Sequence, residues 1–242
     1  ECVHINKCME KPPVNHSVLP YLEMVVTTVC NRECRSCSNF IPYIKARAKH
    51  VSASEAKTQI EDLKKTIGVI ERFQVHGGEP LLNPDLPEIM RIIINEDFIK
   101  RIRIATNGTI LPSVELLSVL SGSRVKLAIS NYHFNKTNIP LIEQRCKGFG
   151  VEYIIYEKQL WYEFGKNVGI TFDTCPINKY PVLFDSKVYL CARICHAYSD
   201  QGQKYCIDIR DTVDLKSALH NDYLKKGCHM CNITHKLIDP GF

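Results

Sequence analysis

The sequence predicts an α/β fold: a parallel sheet wound in one direction and left open, followed by a small cysteine-rich segment. Two observations carry this. From Leu22 to about Phe172, short runs rich in β-branched residues alternate with amphipathic segments, the pattern of repeated strand–helix units around a parallel sheet. Six such units are too few for a closed eightfold barrel, so a partial (βα)6 barrel is expected.

The elements follow in order. Leu22–Val29 is a buried strand. Ser52 and Glu55 have the spacing of a capping box, and Ala56, Ile60, Leu63 and Ile67 then fall at helical intervals. Val69–Val75 is the second strand and ends in His76-Gly77-Gly78-Glu79-Pro80. Asn83-Pro84 is expected to cap a helix carrying Leu86, Ile89, Met90 and Ile93. Ile102–Thr106 is the third strand, closed by Asn107-Gly108. A helix over Pro112–Leu120 precedes the fourth strand, Val125–Ser130. Another over Ile139–Lys147 precedes the fifth, Val151–Tyr156, and a sixth is expected near Val168–Phe172. Beyond Cys175 helical periodicity fades. Val182–Leu190 reads as a hairpin turning at Asp185-Ser186, and Val213–Leu224 as a short helix. This divides the chain into an N-terminal extension (1–21), the partial barrel (22–173) and a cysteine-rich segment (174–242).

A net charge of +5 with scattered Lys and Arg suits an anionic small molecule or cofactor better than nucleic acid, which needs a concentrated basic stripe. No stretch approaches the roughly 20 apolar residues of a membrane helix, and Glu1–Pro20 has no basic-then-apolar targeting pattern. A cytoplasmic protein with no membrane or nucleic-acid partner is expected. Twelve cysteines among 242 residues then favour thiolate metal ligands in a reducing compartment over a disulfide framework.

Cys30, Cys34 and Cys37 form a CxxxCxxC triplet directly after the first strand, with no further Cys or His within ten residues on the C-terminal side of Cys37. Zinc sites usually show paired CxxC elements and four ligands. Three thiolates on a cubane instead leave one iron without a protein ligand, open to a cofactor's amino and carboxylate groups.

With these residues the sequence resembles the radical S-adenosylmethionine (SAM) superfamily. The triplet matches its signature, and Gly77, Gly78, Glu79 and Pro80 match its GGE motif after the second strand. Thr106, Asn107 and Gly108 after the third strand, and Ser130 and Asn131 after the fourth, fall where that family contacts SAM. Ser36 stands where the family usually has an aromatic residue, with Phe40 and Tyr43 the aromatics nearby. The resemblance implies a catalytic 4Fe–4S cluster, SAM cleavage to a 5′-deoxyadenosyl radical, hydrogen abstraction from a substrate, and a flavodoxin- or ferredoxin-type reductant.

Six of the twelve cysteines lie between positions 175 and 231. Cys175, Cys191, Cys228 and Cys231 resemble the ligand set of a twitch or SPASM-like module, implying a second, auxiliary 4Fe–4S cluster; zinc on the same thiolates is the other reading. Cys195 and Cys206 are either further ligands or free hydrogen-atom donors, while Cys2, Cys8 and Cys146 read as ordinary thiols. His133, Glu157 and Tyr156 lie near late strand ends and are candidates to receive a substrate proton; Trp161-Tyr162 is a candidate pocket wall and Arg193 a counter-charge near the second cysteine group. The leading expectation is oxidation of a small polar molecule such as an aminocyclitol, sugar or nucleotide sugar. Radical modification of a ribosomal peptide, and a non-catalytic iron–sulfur or zinc protein, are the alternatives.

Overall fold

The structure, a computed structural model, describes residues 17–132, 138–157, 160–164, 171–175, 180–197, 204–231 and 233–238. It opens with β1 (Val18–Leu19), β2 (Leu22–Thr27), α1 (Ala53–Thr66), β3 (Val69–Gly77) and α2 (Leu86–Ile94). There follow β4 (Ile99–Thr106), α3 (Val114–Leu120), β5 (Val125–Ser130), α4 (Ile139–Phe149), β6 (Glu152–Tyr156) and β7 (Trp161–Phe164). The cysteine-rich part contributes β8 (Val182–Phe184), β9 (Lys187–Tyr189), α5 (Ala192–Ala197), β10 (Cys206–Asp208), α6 (Leu215–Ala218), α7 (Asp222–Lys225) and β11 (Ile233–Ile238).

The main sheet runs β10-β9-β8-β2-β3-β4-β5-β6; the pairings from β8–β2 to β5–β6 are parallel, and β8–β9 and β9–β10 are antiparallel. Its rungs alternate in chemistry because successive side chains point to opposite faces. One rung pairs Met24, Val75, Ile104 and Leu127. These pack in a single core with Ile60 and Leu63 of α1, Ile89 and Met90 of α2, and Leu116 and Leu117 of α3. The rung before it pairs Glu23, Gln74, Arg103 and Lys126, so the face away from the helices is polar. The parallel strand–helix order and the apolar face hold the fold; the polar face is free to line a site.

The sixth parallel position is not filled as expected. Most of the expected strand at 168–172 lies outside the described residues, and 172–174 form a turn. The place beside β2 is taken instead by β8, through the pairs Glu23↔Val182 and Met24↔Leu183. The hairpin does turn at Asp185-Ser186, whose φ values of 52° and 57° suit the tight connections that match strand twist. Sheet pairing thus crosses the expected boundary at 174, and at the other end β1 pairs with β3 although it lies in the expected extension. The expected helix over 213–224 is two single turns, because Asp214 and Asn221 each cap a new start.

Asn83 is the other departure. Rather than capping α2, it is buried, and its Nδ2 donates to Val26 O at 2.7 Å and Val51 O at 2.9 Å. It joins the chain on either side of the cysteine loop. Asn83→Ala takes the donor from Val51 O and one of two from Val26 O, which keeps Val51 N at 2.9 Å, so it is expected to cost about 2 kcal/mol of stability, read from denaturant midpoints.

Candidate functional site

The cysteine loop leaves β2 and returns to a fixed base. Thr28 N donates to Lys49 O at 2.9 Å and Lys49 N to Thr28 Oγ1 at 2.8 Å. Within it, Cys37 N bonds Cys34 O at 3.1 Å and Phe40 N bonds Cys37 O at 3.0 Å, two successive turns. Asn39 Nδ2 donates to Gly77 O at 2.7 Å and ties the loop to the end of β3. Cys30, Cys34 and Cys37 line one cavity of about 240 Å³.

The glycine pair explains how β3 can lie so close. A Cβ on Gly77 would sit 2.0 Å from Thr27 O, and one on Gly78 would sit 2.1 Å from Val29 O and 3.0 Å from the Cys30 Cβ. Gly78 N instead donates to Thr27 O at 2.8 Å, and Glu79 N to Val29 O at 2.9 Å. The requirement is close backbone approach, which only glycine permits.

Glu79 is fully buried. Its Oε1 accepts from Leu81 N at 3.1 Å and Thr106 Oγ1 at 2.8 Å, and its Oε2 from Asn107 N at 2.7 Å. Burial pushes this carboxyl up to about 7 against the pull of those three bonds. Both oxygens are spent joining β3 to β4, and Glu79 and Pro80 stand behind the cavity wall. Asn107 reaches forward: its Nδ2 lies 3.1 Å from Asn31 Oδ1 and 3.9 Å from Cys30 Sγ. Gly77, Gly78, Thr106, Asn107 and Ser130 line the cavity. Gly108 and Asn131 do not; Gly108 N donates to Thr106 Oγ1 at 3.1 Å, and Asn131 Nδ2 to Glu157 Oε2 at 3.0 Å.

The aromatics at the cavity are Tyr132 and Trp161, packed edge to face with ring centroids 5.7 Å apart. Phe40 is buried with φ 53°, and Tyr43 is exposed; neither lines the cavity. Tyr132 went unread in the sequence, although its place two residues past the fourth strand was a usable signal. His76 was also missed. It is buried at the cavity wall, directly before the glycine pair, and burial holds its imidazole down at about 4.

Burial raises all three loop thiols, Cys30 to about 11 and Cys34 to about 12, and the neighbouring thiolates oppose one another's ionisation. Bound metal reverses this, since a coordinating thiol is deprotonated outright. Among the described residues no three His, Cys, Asp or Glu side chains converge as ligands of a single metal ion do. A cubane places each thiolate on a different iron, so its ligands surround a space rather than a point. Three thiols around one cavity, with a glycine wall beside it, fit such a cluster with one iron left to a cofactor.

Other candidates fall elsewhere. His133 lies outside the described residues, as do Cys2 and Cys8. Glu157 is exposed and engaged by Asn131, so no cavity role fits it. Cys146 is fully buried in the core. Cys195 lines a separate cavity of about 280 Å³ with His196 and Lys187, and Cys206 sits on β10 opposite Tyr189. Cys191 feels the charges of Cys231 and Cys228, and Cys228 those of Cys175 and Cys231, which puts the four thiols in one neighbourhood. Arg193, buried, lies within electrostatic reach of Cys231, Cys191, Cys175 and Cys37.

An open parallel sheet carrying a three-cysteine loop and a glycine turn at one rim defines a cofactor-dependent enzyme of the partial-barrel type. The profile of the Radical SAM superfamily matches residues 24–155, and the chain belongs to that superfamily. Membership implies a 4Fe–4S cluster and SAM. The chain is 33% identical over 118 residues to a GTP 3′,8-cyclase of Alkaliphilus oremlandii, covering 48% of this chain and 36% of that one. It is 32% identical over 108 residues to the 7,8-dihydro-6-hydroxymethylpterin dimethyltransferase of Methanocaldococcus jannaschii, covering 44% and 21%. It therefore spans well under half of either relative. The solved structure of Streptococcus suis SuiB bound to precursor peptide SuiA shares the fold, with TM-score 0.52 and 11% identity over 87% of this chain and 66% of that one. Among the described residues no helix is long and apolar enough to cross a membrane.

Gly78→Ala is expected to push the Cys30 segment outward and lose one cluster's worth of iron on anaerobic reconstitution. Gly148→Ala, whose Cβ meets nothing within 4 Å, is expected to keep it.

Proposed function

We propose that this chain is a radical SAM oxidoreductase that oxidises a small hydroxylated molecule, with two 4Fe–4S clusters. Cys30, Cys34 and Cys37 hold the catalytic one, and Gly77, Gly78, Thr106, Asn107 and Ser130 form the wall against which SAM lies. When bound, cluster and SAM supply the carbon radical that abstracts hydrogen. The chain's own part is placement and exclusion: Asn39 and Asn107 fix the loop, and Tyr132 and Trp161 wall the cavity from water.

Cys175, Cys191, Cys228 and Cys231 hold the auxiliary cluster in a twitch-like segment spanning 174–242. The observation that carries this is the shared neighbourhood of those four thiols beside the sheet that bears the first site. With four thiolates such a cluster has no open iron and is suited to moving an electron, which an oxidation requires. The layout resembles that of 2-deoxy-scyllo-inosamine dehydrogenase, a barrel-plus-twitch enzyme. Cys195 faces its own cavity, which disfavours hydrogen-atom donation to a radical beside Cys30. A cytoplasmic setting and a flavodoxin- or ferredoxin-type reductant complete the reading.

Anaerobic reconstitution tests it. About eight irons are expected per wild-type chain and about four after joint Cys228→Ala and Cys231→Ala substitution, by the four-iron content of each cubane. Chemical reduction with SAM is expected to yield 5′-deoxyadenosine. About four irons in both proteins overturns the auxiliary cluster; no 5′-deoxyadenosine from the loaded wild type overturns the radical reading.

A further inference from the structure

The polar face of the sheet carries two arginines that have no carboxylate partner among the described residues. Arg72 stands two residues before Gln74 on β3, and Arg103 of β4 pairs with Gln74, so all three side chains leave the sheet on one face. The backbones at Arg72 and Arg103 are diagonal neighbours about 8 Å apart, by strand spacing and rise. The cations flanking them on the same rungs are partnered: Arg101 Nη2 lies 3.5 Å from Glu71 Oε2, and Lys126 Nζ 3.2 Å from Glu152 Oε2. Arg72 and Arg103 instead lie over aromatic rings, Arg72 Cζ 5.4 Å from the Tyr21 centroid and Arg103 Cζ 5.4 Å from that of Tyr156. A ring face orients a guanidinium without cancelling its charge or using up its N–H donors. Glu23, on the rung of Arg103, is engaged elsewhere. Its Oε1 accepts from Tyr21 Oη at 2.7 Å and Gln74 Nε2 at 2.8 Å, and its Oε2 lies 3.5 Å from His76 Nε2.

Two cavities meet this face, two residues apart along β3. Gln74 lines the cavity of the cysteine triplet. Arg72 and Tyr21 line a second one of about 590 Å³, whose wall includes Phe172, Tyr180 and Leu190. Glu23 ties the two together, because it bonds Tyr21 in one wall and Gln74 in the other. Lys225 and Asp173 also line the larger cavity; Lys225 pairs with Asp222 at 2.7 Å, whereas Arg72 is exposed and keeps its donors for a ligand.

We propose that Arg72 and Arg103 bind the phosphates of a nucleotide-linked sugar, with its base in the larger cavity and its sugar toward Gln74. The inference rests on the oxidation reading above and selects the nucleotide sugar from the small hydroxylated molecules which that reading allows. The planar fork of guanidinium donors matches phosphate oxygens in pairs, and its charge persists at any working pH. Two such charges on neighbouring strands repel each other, and a diphosphate between them relieves that repulsion. An uncharged sugar leaves both charges unmet, and a cationic aminocyclitol is repelled by them. The aromatic and aliphatic wall of the larger cavity suits a flat base, since every base has a face that can stack on a ring.

The test is calorimetry on the anaerobically reconstituted full chain with SAM, using UDP-glucose, GDP-mannose, glucose 1-phosphate and glucose as probes. At least one nucleotide sugar is expected to bind about tenfold more tightly than glucose 1-phosphate, the worth of one stacked base, with glucose weaker still. Arg72→Gln and Arg103→Gln are each expected to weaken that nucleotide sugar by about tenfold or more, as loss of charge-assisted hydrogen bonds should, and to keep the wild-type iron content. Arg103→Lys is expected to recover only part of the loss, because an ammonium lacks the fork. Lys126→Gln, whose cation is held by Glu152, is expected to change the affinity by less than about twofold. Either arginine variant alone reads the site if the other fails to fold. The proposal is overturned if neither nucleotide sugar binds more tightly than glucose 1-phosphate. It is overturned too if Lys126→Gln weakens binding as much as the arginine variants do, the mark of a diffuse field. Nucleotide-sugar binding lost in the arginine variants, with no 5′-deoxyadenosine from the reduced wild type, leaves this site standing and fails the earlier reading, so the two failures are told apart.

Discussion

The close approach of two backbones at the rim of the sheet is the constraint on which the site depends. Gly78 N and Glu79 N donate to Thr27 O and Val29 O, the last residues before the cysteine loop. No side chain stands between the strands there, because a Cβ at either glycine would lie about 2 Å from a carbonyl oxygen. Cys30 is therefore held by the end of β3 as firmly as by its own strand. Without that contact the loop keeps its base at Thr28 and Lys49 but loses its side wall.

From this seam the order spreads across the sheet. Glu79 carries it to β4 with bonds to Thr106 Oγ1 and Asn107 N, and Asn107 returns it to the loop through Asn31. Thr109 closes the circle, accepting from Asn31 Nδ2 at 2.8 Å and donating to Asn107 Oδ1 from its backbone N at 2.9 Å. A fully buried carboxylate is costly, and three hydrogen bonds offset that cost. The Glu of the motif is thus a strut that positions its neighbours, and the lining is left to Gly77, Gly78 and Asn107.

Much of this was legible in the sequence, for reasons that differ by element. Ser52 with Glu55 at α1 and Val125–Ser130 at β5 follow local rules, capping geometry and β-branched burial, and both occur where the pattern puts them. The triplet and the glycine pair were readable because their chemistry demands a fixed spacing. What escaped reading depends on pairing at a distance. No local signal says that Val182–Phe184 joins β2 or that Asn83 turns inward to Val26 and Val51. Glu157 looked poised at a strand end, yet whether a side chain there faces the cavity or solvent is decided by the strand's register and its neighbour Asn131.

The pairing of β8 with β2 has a consequence for how two cysteine groups can work together. Because the hairpin is hydrogen-bonded to the strand that leads into Cys30, the segment carrying Cys191 shares a frame with the first site and does not hang from it by a tether. Arg193, two residues beyond Cys191, feels the thiols of Cys175, Cys191 and Cys231 together with Cys37. Its burial would be costly in an apolar setting, and burial does draw its guanidinium below the ordinary value. Metal-bound thiolates at these cysteines, the state proposed above, would supply the negative charge that offsets that cost.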